Sequence, residues 1–249
     1  MFSNIKTAAF DLDGTIYYGS KIIDGALDVI NALKSKNIKV IFVTNNSTKV
    51  RDQVAEKLRG MGIDCTEEDI MTAAYASACF AREKDLKNLY ISGTDMLKKE
   101  FADIGVSYTE VPEEAENLII GCDSKYTYDK MTLALRAGLS AKSVYSCNTD
   151  RHFLGEGQKS YPGCGAMVAA IEWCCNKKCD AMIGKPGTYM LDLICKTNGL
   201  ENEELIMIGD TYETDIAMAK EKGCPSIFIG NGYSDTVCVD KISDILKMI

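Results

Sequence analysis

Two carboxylates one residue apart mark the first place where this chain is equipped for chemistry. In Ala8-Ala9-Phe10-Asp11-Leu12-Asp13-Gly14-Thr15 an apolar run, extended by Ile5, stops at Asp11 and Asp13. Such a run reads as a parallel strand buried on both faces, and open α/β sheets bind ligands at the carboxyl ends of their strands. If both aspartates stay extended, their side chains leave on one face. Two anions that close repel unless a cation or a shared proton relieves them. Gly14 lets the backbone turn sharply and come close to a ligand. A solvated turn uses the same residue types, so this stretch alone leaves both readings open.

Three further clusters follow apolar segments. Val43-Thr44-Asn45-Asn46-Ser47 offers a hydroxyl, amides and backbone N–H groups at a helix entry, which suits a phosphate or simply caps the helix. In Ile183-Gly184-Lys185-Pro186 a lysine ends a short apolar stretch. As a point charge it can bind phosphate and offset carboxylates, or it is one more surface lysine. Met207-Ile208-Gly209-Asp210 ends a buried-looking strand in a carboxylate placed to bind a metal. Asp215 then falls at a helix start, where the dipole favours an anion, and reads as an outer support of the site or a cap.

The elements that must position these groups alternate between strand and helix. Strands are predicted up to Asp11 and over residues 39–43, 89–91, 118–120, 144–146, 181–183, 205–208 and 226–229. Helices are predicted over 25–35, 49–61 (with Thr48 as its cap), 73–84, 96–104, 130–137, 165–175, 189–197 and 214–222. Repeated βα units build a parallel sheet covered by helices. The fold class is therefore α/β, with a Rossmann-like parallel-sheet core. Residues 80–178 form a self-contained run of the same units and read as a second α/β domain. It is inserted into a discontinuous core made of residues 1–79 and 179–249.

Composition bounds the function. Of 249 residues, 46% are apolar and 26% charged, which is ordinary for a soluble globular chain. The net charge of −8 opposes nucleic acid and anionic membrane surfaces. No apolar stretch reaches the roughly 18 residues of a membrane span. A basic region followed by an apolar one is missing at the start, so no signal peptide is expected, and the expected location is cytoplasmic. Eleven cysteines, odd in number and irregularly spaced, argue against a disulfide framework. Cys174, Cys175 and Cys179 cluster, but a structural zinc site takes four Cys or His ligands. The only histidine, His152, is distant in sequence. Reduced, partly buried thiols are the expectation.

Taken together, Asp11-Leu12-Asp13-Gly14-Thr15, Thr44-Asn45-Asn46-Ser47, Gly184-Lys185-Pro186 and Gly209-Asp210 with Asp215 resemble the four ordered motifs of haloacid dehalogenase (HAD) superfamily phosphatases. The insert between the second and third motifs resembles the large α/β cap of one branch. The run from Asn45 to Lys49, with Asn148-Thr149-Asp150 and Tyr161-Pro162-Gly163-Cys164-Gly165-Ala166, is similar to the NagD and 4-nitrophenylphosphatase group. The likeness covers nearly the whole chain. It departs at Thr149, where the group usually has proline, and at Thr211-Tyr212-Glu213, which bears on substrate preference rather than on the catalytic groups.

The resemblance implies a mechanism. Asp11 attacks phosphorus and becomes a transient aspartyl-phosphate. Asp13 gives a proton to the leaving oxygen and later takes one from water. Magnesium is held by the Asp11 carboxylate, the Asp13 backbone carbonyl and Asp210, with phosphate and water completing its shell. Thr44, Asn45 and Lys185 bind the phosphate, while Asp215, Gly14 and Thr15 support the site. The expected partner is a small phosphorylated metabolite: a nucleoside monophosphate, a sugar phosphate, phosphoglycolate or pyridoxal phosphate. The chain is expected to act without nucleic acid or membrane, alone or as a homo-oligomer. Leaving-group selection is expected from residues 123–128 and 148–165, with Tyr126, Arg151, His152 and Lys159 as candidates. A phosphomutase shares the aspartyl-phosphate. A phosphorylated signalling receiver needs no insert of this size, and a dinucleotide enzyme needs a Gly-x-Gly-x-x-Gly that does not follow the first strand.

Overall fold

A computed structural model describes residues 2–154 and 159–249. In chain order its regular elements begin with β1 (Thr7–Phe10), β2 (Tyr17–Tyr18), β3 (Lys21–Ile22), α1 (Ala26–Ser35), β4 (Lys39–Thr44), α2 (Arg51–Gly60) and β5 (Ile70–Thr72). There follow α3 (Ala73–Glu83), β6 (Leu89–Ser92), α4 (Asp95–Asp103), β7 (Asn117–Ile120), α5 (Tyr128–Ser140), β8 (Ser143–Ser146), β9 (His152–Leu154), β10 (Ser160–Pro162) and α6 (Cys164–Cys175). The chain closes with β11 (Ala181–Met182), α7 (Tyr189–Asn198), β12 (Leu205–Gly209), α8 (Ala217–Lys222), β13 (Ser226–Ile229) and β14 (Val237–Val239). These elements fall into two compact units.

The first unit comprises Met1–Thr44, Arg51–Met71 and Lys185–Ile249. Its six-stranded sheet runs β14-β13-β12-β1-β4-β5. β1 pairs in parallel with both β12 and β4, and all four of its residues are buried, as the continuous apolar run demands. α1 buries Ala26, Val29, Ile30 and Leu33, the spacing of a single helical stripe. The core around Phe10, Leu12, Phe42 and Ile208 follows from these faces. Strand order grows in one direction from β1 through β4 and in the other through β12. The carboxyl ends of β1 and β12 therefore flank the point where the winding reverses, the position at which such sheets open a crevice.

The second unit comprises Asn45–Val50 and Thr72–Gly184. Its parallel sheet runs β11-β8-β7-β6. Threonine caps start three of its helices: Thr72, Thr94 and Thr127 accept from the backbone N–H groups of Tyr75, Leu97 and Lys130, satisfying donors that a helix start leaves unpaired. β9 and β10 form a separate antiparallel pair.

Several expectations are refined. The second unit takes in the whole of α3 and runs on to Gly184, so the expected junction at residue 80 falls inside a helix and the one at 178 just before β11. β11 pairs with β8 and so belongs to the second sheet, not to the sheet carrying Asp11. A short apolar stretch states that a strand exists but not which sheet recruits it. α2 starts at Arg51 without Thr48 as its cap. Asn46 Oδ1 instead accepts from the N–H groups of Thr48 and Lys49, at 2.8 and 3.0 Å, an Asx-type turn ahead of the helix. The helix expected over 214–222 is divided into a wide π turn at Tyr212–Ile216 and α8. Among the described residues no helix is long and apolar enough to cross a membrane.

Candidate active site

Strand register sets the site before any side chain is considered. β1 and β12 are paired from Thr7 opposite Leu205 to Phe10 opposite Ile208, and the Asp11 N–H donates to the Ile208 carbonyl at 2.9 Å. Asp11 therefore stands beside Gly209, one residue from Asp210. On the other side Phe10 is opposite Phe42, which brings Thr44 to the same end of the sheet.

Lys185 lies at the centre of the cluster. Its ammonium group donates to Asp11 Oδ1 and to Asp215 Oδ1 at 2.7 Å, and all three residues are buried. Burial alone would favour the neutral amine, but the two carboxylates push the lysine well above its ordinary range, so it stays charged. Burial pushes the Asp215 carboxyl up, against the pull of Lys185 and of the Thr211 N–H. The π turn explains how Asp215 reaches inward. The wider turn lets Oδ2 accept from Thr211 N at 3.1 Å while Oδ1 meets Lys185. A Cβ on Gly209 would collide with the Asp215 side chain, so that position has to be glycine.

Asp210 completes a group of acids. Asp11, Asp210 and Asp215 each offer a carboxylate oxygen within 4.8 Å of the other two. Burial and the charge of Asp11 push Asp210 up to about 6, the mark of anions crowded without enough countercharge. Thr15 Oγ1 donates to Asp210 Oδ1 at 3.0 Å. At Gly14, which has φ +96°, a Cβ would run into the Asp210 carboxylate. Glycine thus serves both the turn and the close approach. Three hard oxygen donors fit Mg²⁺ rather than a soft metal. Both Asp215 oxygens are already engaged, which leaves Asp11 and Asp210 as the better donors.

Asp13 is set apart from these acids. Residues 12–17 fold into a tight turn in which Ile16 N and Tyr17 N donate to the Leu12 carbonyl and Gly14 N donates to the Tyr17 carbonyl. Asp13 itself is exposed, yet protein packed around its carboxyl raises its pKa, with Lys57 opposing and Asp11 adding. Tyr17 Oη donates to Asp13 Oδ2 at 3.2 Å, and Lys57 lies over the Tyr17 ring. Neither Tyr17 nor Lys57 stands out in the sequence.

The remaining expected residues belong to the second unit. Asn45 donates from Nδ2 to Asp150 Oδ1 at 2.9 Å, and its carbonyl accepts from Asn148 Nδ2 at 2.6 Å. The Asn148-Thr149-Asp150 turn therefore fixes the amide orientation of Asn45. Arg151, His152 and Lys159 are exposed and Tyr126 is half-buried. Within the expected selection segment 148–165, residues 155–158 lie outside the described residues. All eleven cysteines are free thiols, with Cys174 exposed, Cys175 buried and Cys179 half-buried.

The geometry can be set against known proteins. The sequence pattern described as haloacid dehalogenase-like hydrolase matches residues 8–107, and a HAD-hydrolase-like pattern matches residues 182–244. An acid sugar phosphatase of Staphylococcus epidermidis is 36% identical over 90% of this chain and 86% of its own length. Phosphoglycolate phosphatase 2 of Arabidopsis thaliana is 28% identical over 100% of this chain and 95% of its own. The solved p-nitrophenyl phosphatase of Archaeoglobus fulgidus superposes with a TM-score of 0.90 at 28% identity, covering 99% of this chain and 100% of that one.

Proposed function

The chain belongs to the haloacid dehalogenase-like hydrolases and is a phosphoric monoester hydrolase, and from that premise we propose that it cleaves small phosphomonoesters through an aspartyl-phosphate on Asp11, with Mg²⁺ as its metal. The observation that carries this reading is the buried Lys185 bonded to Asp11, with Asp210 close by. A nucleophile, a cation and a metal ligand are thereby held at one sheet end.

In this reading an Asp11 carboxylate oxygen attacks phosphorus in line with the leaving oxygen, and the new O–P bond forms as the ester bond breaks. Asp13 gives its proton to the leaving oxygen. The resulting Asp13 carboxylate takes a proton from the water that attacks the aspartyl-phosphate, which frees inorganic phosphate and restores both acids. Protein packed around Asp13 raises its pKa, with Lys57 opposing and Asp11 adding, which is the direction an acid needs. Lys185 and Thr44 balance negative charge on the transferring group, and the proposal extends to Asn45 as the next donor along the chain. Asp11 and Asp210 hold the metal, which when bound offsets charge on the phosphoryl oxygens. The names of the relatives point to a sugar phosphate as the physiological ester, with phosphoglycolate as the second reading. Selection of the leaving group is assigned to the inserted unit.

Asp13→Asn tests the assignment. An alkyl phosphate should fail at the first step, because an alkoxide leaves poorly without a proton. With 4-nitrophenyl phosphate the first step should survive, because nitrophenolate is a weak base, and the second step should become slow. The expected result is a burst of about one nitrophenolate per active site, with phosphate found on Asp11 by rapid-quench mass measurement. Equal slowing of both esters with no burst would remove Asp13 from the acid–base role.

A further inference from the structure

The tight turn after β1 ends in a tyrosine that the mechanism above does not use. Tyr17 is almost fully buried, and a buried phenol needs a partner for its hydroxyl. It finds one in Asp13 Oδ2 at 3.2 Å. The backbone fixes the pair, since Gly14 N donates to Tyr17 O and Tyr17 N donates to Leu12 O, with Asp13 and Tyr17 bridged across the turn. On the face of the same ring stands the Lys57 ammonium of α2, 3.4 Å from the ring centroid. A cation at that distance is attracted to the ring face and holds the ring in place.

We propose that Tyr17 and Lys57 are positioning residues for the acid–base group: Tyr17 holds Oδ2 of Asp13 and so fixes the rotation of its carboxyl, and Lys57 holds Tyr17 to that task. Without the Tyr17 hydroxyl the carboxyl rotates about its last bond. The proposal rests on Asp13 as the acid–base group and deepens that reading.

The test compares kcat/KM for an alkyl phosphate and for 4-nitrophenyl phosphate, since this ratio reports events up to the first phosphoryl transfer and omits breakdown of the aspartyl-phosphate. Tyr17→Phe keeps the ring and removes the donor. It should lower kcat/KM for the alkyl ester about tenfold, the effect of one hydrogen bond to an ionisable group. The nitrophenyl ester should stay within about twofold, because its leaving group needs little protonation. Lys57→Met should show the same selectivity to a smaller degree, and Lys57→Arg should recover it, since arginine also stacks on aromatic faces. Inhibition by inorganic phosphate should not move in any of the three variants.

An equal fall for both esters, no fall for either, or weakened phosphate inhibition in step with activity would overturn the positioning role. Asp13→Asn, measured on the same two esters, separates the layers. If it discriminates between them and Tyr17→Phe does not, only the positioning role is lost. If Asp13→Asn does not discriminate, the acid–base reading falls and the positioning role falls with it.

Discussion

In the six-stranded sheet, β1 and β12 run directly into Asp11 and Asp210, whereas in the four-stranded sheet β6 and β7 run into Gly93 and Gly121, and β8 into Cys147 and Asn148. Both sheets are built on parallel pairs within βα units, so architecture does not distinguish them. Their acids do. In the second unit the two acids that follow β7 and β8 have their own partners: Asp123 is paired with Lys130 at 2.5 Å and accepts from Lys125 N, while Asp150 is bonded to Asn45. In the first unit, Asp11 and Asp215 share Lys185, and Asp210 lies within reach of both. Shared and incomplete compensation, rather than position at a strand end, marks the site, because crowded anions are what a cation or an electrophilic phosphorus can relieve.

Breaking the comparison at its centre should give the largest effect. Asp11→Asn removes the attacking oxygen, and steady-state turnover of every ester should fall to background, down by about 10⁴-fold or more. The same change at Asp123, which is also buried but has its own partners and lies in the segment expected to select the leaving group, should act on KM and leave kcat within about threefold. Comparable loss at the two positions would show that the crowding carries no chemical meaning. Next in size is Lys185→Met. Removing one member of a buried pair strands the other charges, at a cost of about 3–5 kcal/mol in denaturant-induced unfolding. kcat should fall about a hundredfold or more with the loss of a charge stabiliser. A stability change under about 1 kcal/mol would mean that Asp11 and Asp215 are relieved by other groups.

The sequence exposed one side of this contrast more clearly than the other. Asp11 and Asp210 were legible because each ends a continuous apolar run, the pattern of a parallel strand buried on both faces. Lys185 was legible as a cation placed for the site, but the strand before it reads in sequence as part of the core, whereas β11, only two residues long, pairs with β8 in the other sheet. Tyr17 was hidden. Its role depends on the turn of residues 12–17 folding back on itself, and the β2–β3 hairpin that follows has strands of two residues, too short to show an alternation. The Tyr-Gly-Ser-Lys run between them carried the signal, with Gly19 at φ +59°, the kind of residue a tight hairpin turn selects. Lys57 sits on an amphipathic helix, where a charged residue is usually just solvated. The π turn at Tyr212–Ile216 leaves no trace in a 3.6-residue pattern. The short strands β5 and β14, at the two edges of the large sheet, were missed because three residues give no period.

A more selective way to sharpen the contrast is to remove a metal donor and leave the nucleophile and its lysine in place. Asp210→Ala loses a half-buried carboxylate and no core volume, so circular dichroism should be unchanged. The magnesium concentration for half-maximal activity should rise by more than about tenfold, as loss of a ligand weakens the ion's hold. Near-normal turnover at low magnesium would take Asp210 out of the metal site.

The last expected effect is the dependence of stability on both metal and pH. In the metal-free protein, burial and the charge of Asp11 hold Asp210 up at about 6, against an ordinary value of 3.8. A carboxyl raised on folding stabilises the native state fully below its unfolded value, and that contribution is lost as the pH rises through the folded value. The metal-free protein should therefore lose about 2–3 kcal/mol from this group between pH 4 and pH 7. Asp215, also pushed up by burial, acts in the same direction. Lys185 does not enter this window, because its pKa is raised from an already high value and its contribution is constant below the unfolded lysine range. Magnesium binds the ionised carboxylates, so protons compete with it below about pH 6, and its stabilisation grows as they leave. The rise in Tm on adding magnesium should thus be small at pH 5 and larger at pH 7.5, with opposite trends underneath: falling stability without metal, recovery with it. Asp210→Asn should flatten the difference between the two pH values, because it removes the main group whose ionisation links them. A magnesium effect of equal size at pH 5 and pH 7.5 would mean that the crowded acids are not what holds the ion.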